Sequence, residues 1–319
     1  MIPHFYDVHS IPDIGALIQR TLEIKHHSIK SSSGKNKTIA LIFLNPSLRT
    51  RISTQEAAYR LSMNVICMNS NDAWTWELEE GALMNSDRSE HIKDAVKVLS
   101  GYVDYIGIRC FAGLKNIEED RTDRWIRTFM KYAEVPVINL ESATLHPLQS
   151  LADMTTIEEL FPGKKLNVVL TWAPHPKALP QAVPNSFAQW SLACGHHLTI
   201  VHPQGFELDR QYSSGARILH DQEEAFENAD IIYVKNWCST QHYGIASDQY
   251  PHWTVNQSKC KISPNARIMH CLPVRRNVVI SDQVLDGPQS AVYIQAQNRL
   301  FAAQTVLEHL LKHDRSWNS

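Results

Sequence analysis

Thr38-Ile39-Ala40-Leu41-Ile42-Phe43-Leu44 runs directly into Asn45-Pro46-Ser47-Leu48-Arg49-Thr50-Arg51. Apart from Thr38, the first seven residues are apolar without alternation, as a strand covered on both faces requires. In the next seven, Pro46 breaks the strand, Ser47 can cap a helix, and Thr50 begins a helical pattern. A buried strand, a polar turn and a helix in that order open a parallel α/β sheet with helical crossovers.

Working outward, the same alternation continues. Strands are expected at Asn64–Met68, Val103–Ile108, Pro136–Leu140, Leu166–Trp172, His197–Val201, Ala229–Val234, Ala266–His270 and Ala291–Ile294. Helices are expected at Thr50–Leu61, His91–Ser100, Asp123–Tyr132, Leu148–Leu160, Asn185–Cys194, Gln222–Glu227 and Leu300–Leu311. The pattern predicts two α/β domains with doubly wound parallel sheets, residues 1–150 and 151–299. The closing segment 300–319 is expected to form a helix that packs back on the first domain. The longest stretches without periodicity, Asn69–Arg88 and Asn236–Ser258, are candidate functional loops.

Composition narrows the function. The chain has 319 residues, with 31 Lys+Arg against 33 Asp+Glu. That near-neutral balance lacks the basic face of a nucleic-acid binder. No apolar run approaches the ~18 residues of a membrane span, and the N-terminus has no leader pattern. Six cysteines contain no C-x-x-C pair, so the chain reads as cytoplasmic, without a disulfide framework. The 16 histidines include the neighbours His26-His27 and His196-His197. Adjacent residues point apart on a helix or strand, so no metal site and no cofactor are expected.

The unusual polar residues cluster where strands end, which is where parallel sheets bind ligands. Ser47, Leu48, Arg49 and Thr50 would offer an anion a helix N-terminus, a charged fork and a hydroxyl. An ordinary cap with solvated arginines would read the same way. Arg109 ends one strand, where a buried cation needs an anionic partner. Glu141 follows another, and His146-Pro147-Leu148-Gln149 opens the next helix. In the second half, His175 in Ala173-Pro174-His175-Pro176, Lys235 and His270-Cys271-Leu272-Pro273-Val274-Arg275-Arg276 occupy equivalent places, and Arg299 precedes the last helix. Each alone has a structural explanation. Together they assemble many cations and few carboxylates, the chemistry of an anion site.

Ser47-Leu48-Arg49-Thr50-Arg51, His146-Pro147-Leu148-Gln149 and His270-Cys271-Leu272-Pro273 resemble, in order, the S-x-R-T-R, H-P-x-Q and H-C-L-P motifs of the aspartate/ornithine carbamoyltransferase family. The chain is most similar to the branch acting on N-acylated ornithine. That similarity rests on Trp74 in Asn71-Asp72-Ala73-Trp74, the run Thr171–Pro176, Lys235-Asn236-Trp237 and Leu272–Asn277. No S-M-G loop of the type used for free ornithine is present.

The resemblance implies the two-domain carbamoyltransferase fold and a homotrimer with shared active sites. It implies carbamoyl phosphate and an N-acylated ornithine as substrates. Ser47, Leu48, Arg49, Thr50, Trp74, Arg109, His146, Pro147, Leu148, Gln149, Cys271, Leu272 and Arg299 are then expected to hold carbamoyl phosphate. Arg109, His146, Gln149 and Cys271 form its catalytic set, and Trp74 would come from a neighbouring subunit. Glu141, His175, Lys235, Arg275 and Ser89 are expected on the acceptor side. At the position where this branch carries glutamate for acetyl or proline for succinyl substrates, the chain has Ser89. The lysine of the acetyl type is absent from Asn277-Val278-Val279. The wording of the motifs is closer to the succinyl type, with acetylornithine and then plain ornithine as alternative acceptors. A non-catalytic anion-binding oligomer on the same fold is the reading from a different class.

Overall fold

The computed structural model describes residues 3–69, 72 and 75–315. They form two compact units. Unit 1 comprises residues 1–112, 119–148 and 299–319; unit 2 comprises 113–118 and 149–298.

In chain order, unit 1 carries α1 (Ile14–His26), β1 (Thr38–Phe43), α2 (Arg49–Arg60), β2 (Asn64–Asn69), β3 (Trp76–Glu77), β4 (Glu90–His91), α3 (Ile92–Tyr102), β5 (Tyr105–Arg109), most of α4 (Ile117–Arg121), α5 (Arg124–Tyr132) and β6 (Val137–Glu141). α6 (Pro147–Leu160) starts in unit 1 and continues in unit 2. The main sheet has the order β2-β1-β5-β6 and is parallel throughout. β1 and β5 are buried along almost their whole length, which explains their unalternating apolar sequences. Strand order reverses between β1 and β5, so the segments after these two strands flank a topological switch point. Those segments are Asn45–Thr50 and Arg109–Cys110.

Unit 2 carries β7 (Asn167–Trp172), α7 (Ala182–Ala193), β8 (His197–Val201), α8 (Arg210–Ser213), β9 (Arg217–Leu219), α9 (Gln222–Phe226), β10 (Ile231–Lys235), α10 (Gln257–Cys260), β11 (Arg267–Met269) and α11 (Asp282–Leu285). Its parallel sheet has the order β11-β10-β7-β8-β9. The reversal here lies between β7 and β10, whose ends carry His175 and Lys235.

The expected strand Ala291–Ile294 is instead the start of α12 (Val292–Arg315). Four apolar residues cannot distinguish strand from helix. The period extends onward, with Val292, Gln295, Asn298 and Arg299 buried at helical spacing. α12 leaves unit 2 after Asn298, and its later part packs within unit 1. Gln304 Nε2 donates to the Ile29 carbonyl (2.8 Å), and Glu308 pairs with Arg20 (3.0 Å). The sequence reading omitted α1, although Asp13 caps it and Leu17, Ile18 and Leu22 bury one face. It also omitted β9, whose three residues give no detectable period.

Gly107 lies in the middle of β5. A Cβ there would sit 2.9 Å from Leu41 Cδ2 and 3.2 Å from Leu140 Cδ1, both in the fully buried core. Gly107→Val is therefore expected to destabilise unit 1 by ~1–3 kcal/mol through overpacking. Urea unfolding with an unchanged m-value would measure it.

Candidate active site

The unit 1 site is built around Thr50. Ser47 Oγ accepts from the Thr50 N–H (3.2 Å), holding the first turn of α2 and leaving other amide N–H groups at its N-terminus. Thr50 Oγ1 accepts from Arg299 (2.9 Å) and Arg109 (3.3 Å). Arginine cannot accept, so both contacts use the hydroxyl's lone pairs and its O–H remains a donor for an incoming anion. Arg109 is itself fixed by Glu141 (2.5 Å) and stacks on Phe111, its guanidinium carbon 4.2 Å from the ring centroid.

His146 completes the cluster. Arg299 donates toward its Nε2 (3.2 Å), a pairing that puts the ring proton on Nδ1, whereas the Glu141 carboxylate beside the same Nε2 is served by the other tautomer. Nδ1 is buried and has no protein partner. Burial, reinforced by the cations Arg299, Arg109 and Arg49, pushes the His146 pKa well below the ordinary value. The imidazole is therefore neutral at pH 7, with one buried N–H to offer. Glu141, expected on the acceptor side, sits in this cluster with its carboxylate 3.3 Å from His146 Nε2. Arg109, Glu141, His146 and Arg299 are 7%, 7%, 3% and 4% exposed. The cluster thus buries two guanidiniums, a carboxylate and an imidazole together.

In unit 2, Gln149 and Gln295 both donate through Nε2 to Asp153 Oδ1 (2.7 Å each). A carboxylate only accepts, so both amide orientations are determined, and Gln295 Oε1 in turn receives the His270 N–H (2.9 Å). His270 Nδ1 accepts from the Leu272 N–H (2.8 Å), and Leu272 adopts left-handed backbone (φ 52°). That conformation strains a branched residue and marks this turn as over-determined by its surroundings. Asp153 and Gln295 were missed in the sequence because their significance lies in pairing across 142 residues.

The loops after β7 and β10 lock each other. Asn236 donates to the Ala173 carbonyl (2.7 Å) and Trp172 to the Trp237 carbonyl (2.8 Å). Lys235 is buried, and its ammonium donates to the neighbouring Asn236 carbonyl (3.2 Å). His175 is partly buried; desolvation, together with the charges of Lys235 and Arg275, lowers its pKa. Arg275 is exposed on its loop. The following Arg276 anchors that loop to Asp282 (2.7 Å) and Asp286 (2.8 Å).

Ser89 is exposed at the neck of the loop between β3 and β4. Its neighbours are tied down, Glu90 by Trp76 Nε1 (3.0 Å) and Arg88 by Glu77 (2.8 Å). Trp74 lies outside the described residues. Among the described residues no group of three or more His, Cys, Asp or Glu could hold a metal ion, and no helix is long and apolar enough to cross a membrane.

Two phosphate-friendly arginines, a hydroxyl and a neutral imidazole, placed at the switch point of a parallel sheet, define an enzyme site for an anionic carbonyl donor. Family models agree. Residues 4–159 match the aspartate/ornithine carbamoyltransferase carbamoyl-P binding domain, and residues 180–310 match the Asp/Orn binding domain. The chain belongs to the aspartate/ornithine carbamoyltransferase family. It is 45% identical to N-succinylornithine carbamoyltransferase of Bacteroides fragilis strain 638R, covering 97% of this chain and 98% of that protein. It is 34% identical to N-acetylornithine carbamoyltransferase of Xanthomonas campestris pv. campestris, covering 98% and 99%. A crystal structure of a glutamate-to-serine variant of N-acetyl-L-ornithine transcarbamylase, complexed with carbamyl phosphate and N-succinyl-L-norvaline, superposes with a TM-score of 0.91. It is 34% identical and covers 96% of this chain and 99% of its own.

His146 also predicts a pH dependence. Its folded-state pKa is lowered, so below the unfolded value of about 6.5 the unfolded chain takes up a proton that the native state refuses. Its contribution to stability is thus complete above pH ~6.5 and declines as pH falls, by at most about 1.4 kcal/mol per pH unit. Unfolding free energies of the wild type and His146→Asn, measured from pH 7.5 to 5, are expected to differ in slope below pH ~6.5, the variant being flatter.

Proposed function

We propose that the protein transfers the carbamoyl group of carbamoyl phosphate to the δ-amine of N-succinyl-L-ornithine, giving N-succinyl-L-citrulline and phosphate, as a step of arginine biosynthesis. The observation that carries the reading is the buried unit 1 cluster, where Arg109, Arg299 and the Thr50 hydroxyl converge beside neutral His146.

In this reading the phosphate is held by Ser47, Leu48, Arg49 and Thr50, with Trp74 contributed by a neighbouring subunit. The residues Pro147 and Leu148 begin the helix that places His146 and Gln149. Arg109 and the His146 Nδ1–H donate to the carbonyl oxygen, polarising it and stabilising the oxyanion as the amine attacks. The new N–C bond forms, the C–O bond to phosphate breaks, and the amine's proton leaves with the phosphate. Gln149 turns its amide nitrogen toward Asp153, and its Oε1 is the acceptor proposed for the carbamoyl NH₂. Because the Leu272 N–H is engaged by His270, the Cys271-Leu272 segment contributes backbone carbonyls to the same group. Cys271 is a positioning residue here, and no covalent enzyme intermediate is required.

On the acceptor side, His175, Lys235 and Arg275 hold the acylated amino acid, Lys235 and Arg275 matching its carboxylates. The attacking amine must be neutral although its free pKa lies near 10.4, and a cationic, desolvated site favours that form. Orienting the two substrates supplies much of the remaining rate. The choice of succinyl rests on the absence of the acetyl-type lysine from Asn277-Val278-Val279, on the motif wording and on the 45% identity to a succinylornithine enzyme. The serine variant of a related transcarbamylase bound to N-succinyl-L-norvaline supports it further.

The working form in this proposal is a cytoplasmic homotrimer. Its supporting feature is an uncovered apolar side of α2, where Leu48, Ile52 and Tyr59 are 67%, 57% and 56% exposed, together with Ile66 on edge strand β2. Scattered apolar residues are ordinary on a surface, but a contiguous set marks an interface.

Citrulline-product formation with ornithine, N-acetylornithine and N-succinylornithine in parallel tests the acceptor. Succinylornithine is expected to be preferred; preference for acetylornithine would overturn the acyl assignment, and turnover of none would leave only anion binding. With the preferred acceptor, Arg109→Ala is expected to lower kcat by about 10²-fold or more, and unchanged turnover would remove Arg109 from the mechanism. Ile52→Glu is expected to convert a sedimenting trimer to monomers; an unchanged sedimentation coefficient would place the interface elsewhere.

A further inference from the structure

Asp123 has no part in the chemistry above, yet it is one of the most constrained residues in unit 1. It is 2% exposed, and although it is not glycine it adopts a left-handed backbone (φ 52°, ψ 39°) just ahead of α5. Such a conformation persists only when its surroundings hold it there. Its carboxylate accepts four hydrogen bonds, from Tyr6 Oη (2.8 Å), Ser142 Oγ (2.7 Å), the Ala143 N–H (2.9 Å) and Thr144 Oγ1 (2.5 Å). Three of the four come from consecutive residues of a single segment, the turn from β6 into α6. That turn has four residues between Glu141 and His146, and both of these ends belong to the active cluster.

We propose that Asp123 is a positioning residue for His146. By collecting the donors of Ser142, Ala143 and Thr144 it fixes the turn so that Glu141 and His146 keep their spacing beside Arg109 and Arg299. The proposal deepens the carbamoyltransferase reading and rests on it for its kinetic consequence. Asn139 and Leu145 support the same turn through Ser142 Oγ (3.2 Å each). Without the Asp123 carboxylate, the Ser142 hydroxyl would be left with its longer contact to the Leu145 carbonyl (3.4 Å), and the Ala143 N–H and Thr144 hydroxyl would lose the acceptor that holds them. The other polar groups around the carboxylate are Tyr6 from the N-terminal segment, Arg127 beside the Tyr6 ring, and the Cys110 thiol. Burial, then the Asp123 and Glu141 charges, push the Cys110 pKa up.

Asp123→Asn tests the idea because it keeps the shape but turns one acceptor into a donor that faces N–H or O–H. The first readout is kinetic. kcat is expected to fall about tenfold or more, while KM for carbamoyl phosphate stays within about threefold, since Ser47 and Thr50 on α2 are untouched. The second readout needs no activity. The His146 ring proton, followed by NMR, is expected not to titrate between pH 8 and about 5.5 in the wild type, and to titrate near 6.5 once the turn loosens and the ring hydrates. Thr144→Val removes a single donor and is expected to shift both readouts the same way by less, so it carries the test if Asp123→Asn does not fold. Tyr6→Phe removes the donor that lies outside the turn and is expected to leave His146 unchanged. If His146 titrates identically in Asp123→Asn, Thr144→Val and the wild type, the positioning role is wrong. If it shifts while no acceptor is ever carbamoylated, the positioning stands and the carbamoyltransferase reading fails instead.

Discussion

The structure of unit 1 depends on one electrostatic constraint: two guanidiniums, Arg109 and Arg299, are buried with a single carboxylate, Glu141, between them. Removing an ion from water costs several kcal/mol unless hydrogen bonds and opposite charge replace the lost hydration. The Arg109–Glu141 pair, the Thr50 hydroxyl and the His146 ring supply part of that replacement. His146 must then stay uncharged, because a third cation in the same volume would meet two others, and its lowered pKa records that competition. In the proposed reading, an anionic substrate adds a further negative charge beside these two guanidiniums. The neutral imidazole N–H that results is the form able to donate to a carbonyl without repelling the neighbouring arginines.

That balance explains why elements distant in sequence are tied to one point. β1 ends in the turn carrying Ser47 and Thr50, β5 ends in Arg109, β6 ends in Glu141, and α12 re-enters unit 1 at Arg299. Parallel strands put all of their carboxyl ends on one edge, so four separate segments can reach a common ligand without any loop being long. Asp123 and Asp153 show the same economy one step further out. Each is a buried carboxylate whose acceptor capacity is used to orient donors, in one case the 142–144 turn and in the other the Gln149 and Gln295 amides.

Much of this was legible in the sequence. The unalternating run Thr38–Leu44 marks a strand covered on both faces, and the motifs that follow strands mark the edge where Thr50, Arg109 and Glu141 meet. Ser47, Thr50, Arg109, His146 and Arg299 were all singled out from residue type and position, and the structure brings them together. What stayed hidden has a common cause: it depends on pairing between distant residues. Nothing local to Asp123 reveals that Ser142 and Thr144 will turn toward it, and nothing near Arg276 reveals Asp286. Glu141 is expected on the acceptor side by resemblance, and its pairing with Arg109 is not visible in the sequence. Ala291–Ile294 misled for a different reason, since four apolar residues fit both periods and only the burial of Gln295, Asn298 and Arg299 separates them.

The donor and acceptor residues differ in how freely they can change. Arg109, Glu141, His146 and Arg299 are buried and contact one another, so altering any one removes a charge or hydrogen-bond partner from another. Ser89 and Arg275 are exposed, and substitutions at such positions usually alter stability by less than about 0.5 kcal/mol. The loops that carry them are held by contacts that do not involve their own side chains: Trp76–Glu90 and Arg88–Glu77 around Ser89, and Arg276 with Asp282 and Asp286 beside Arg275. A side chain at position 89 can therefore change size or polarity while the neck of its loop stays closed. The physical expectation for such an arrangement is a fixed chemistry of carbamoyl transfer combined with a readily altered choice of acyl group. A serine at position 89, where the branch carries glutamate or proline, is one small polar setting of a position whose folding constraints are few.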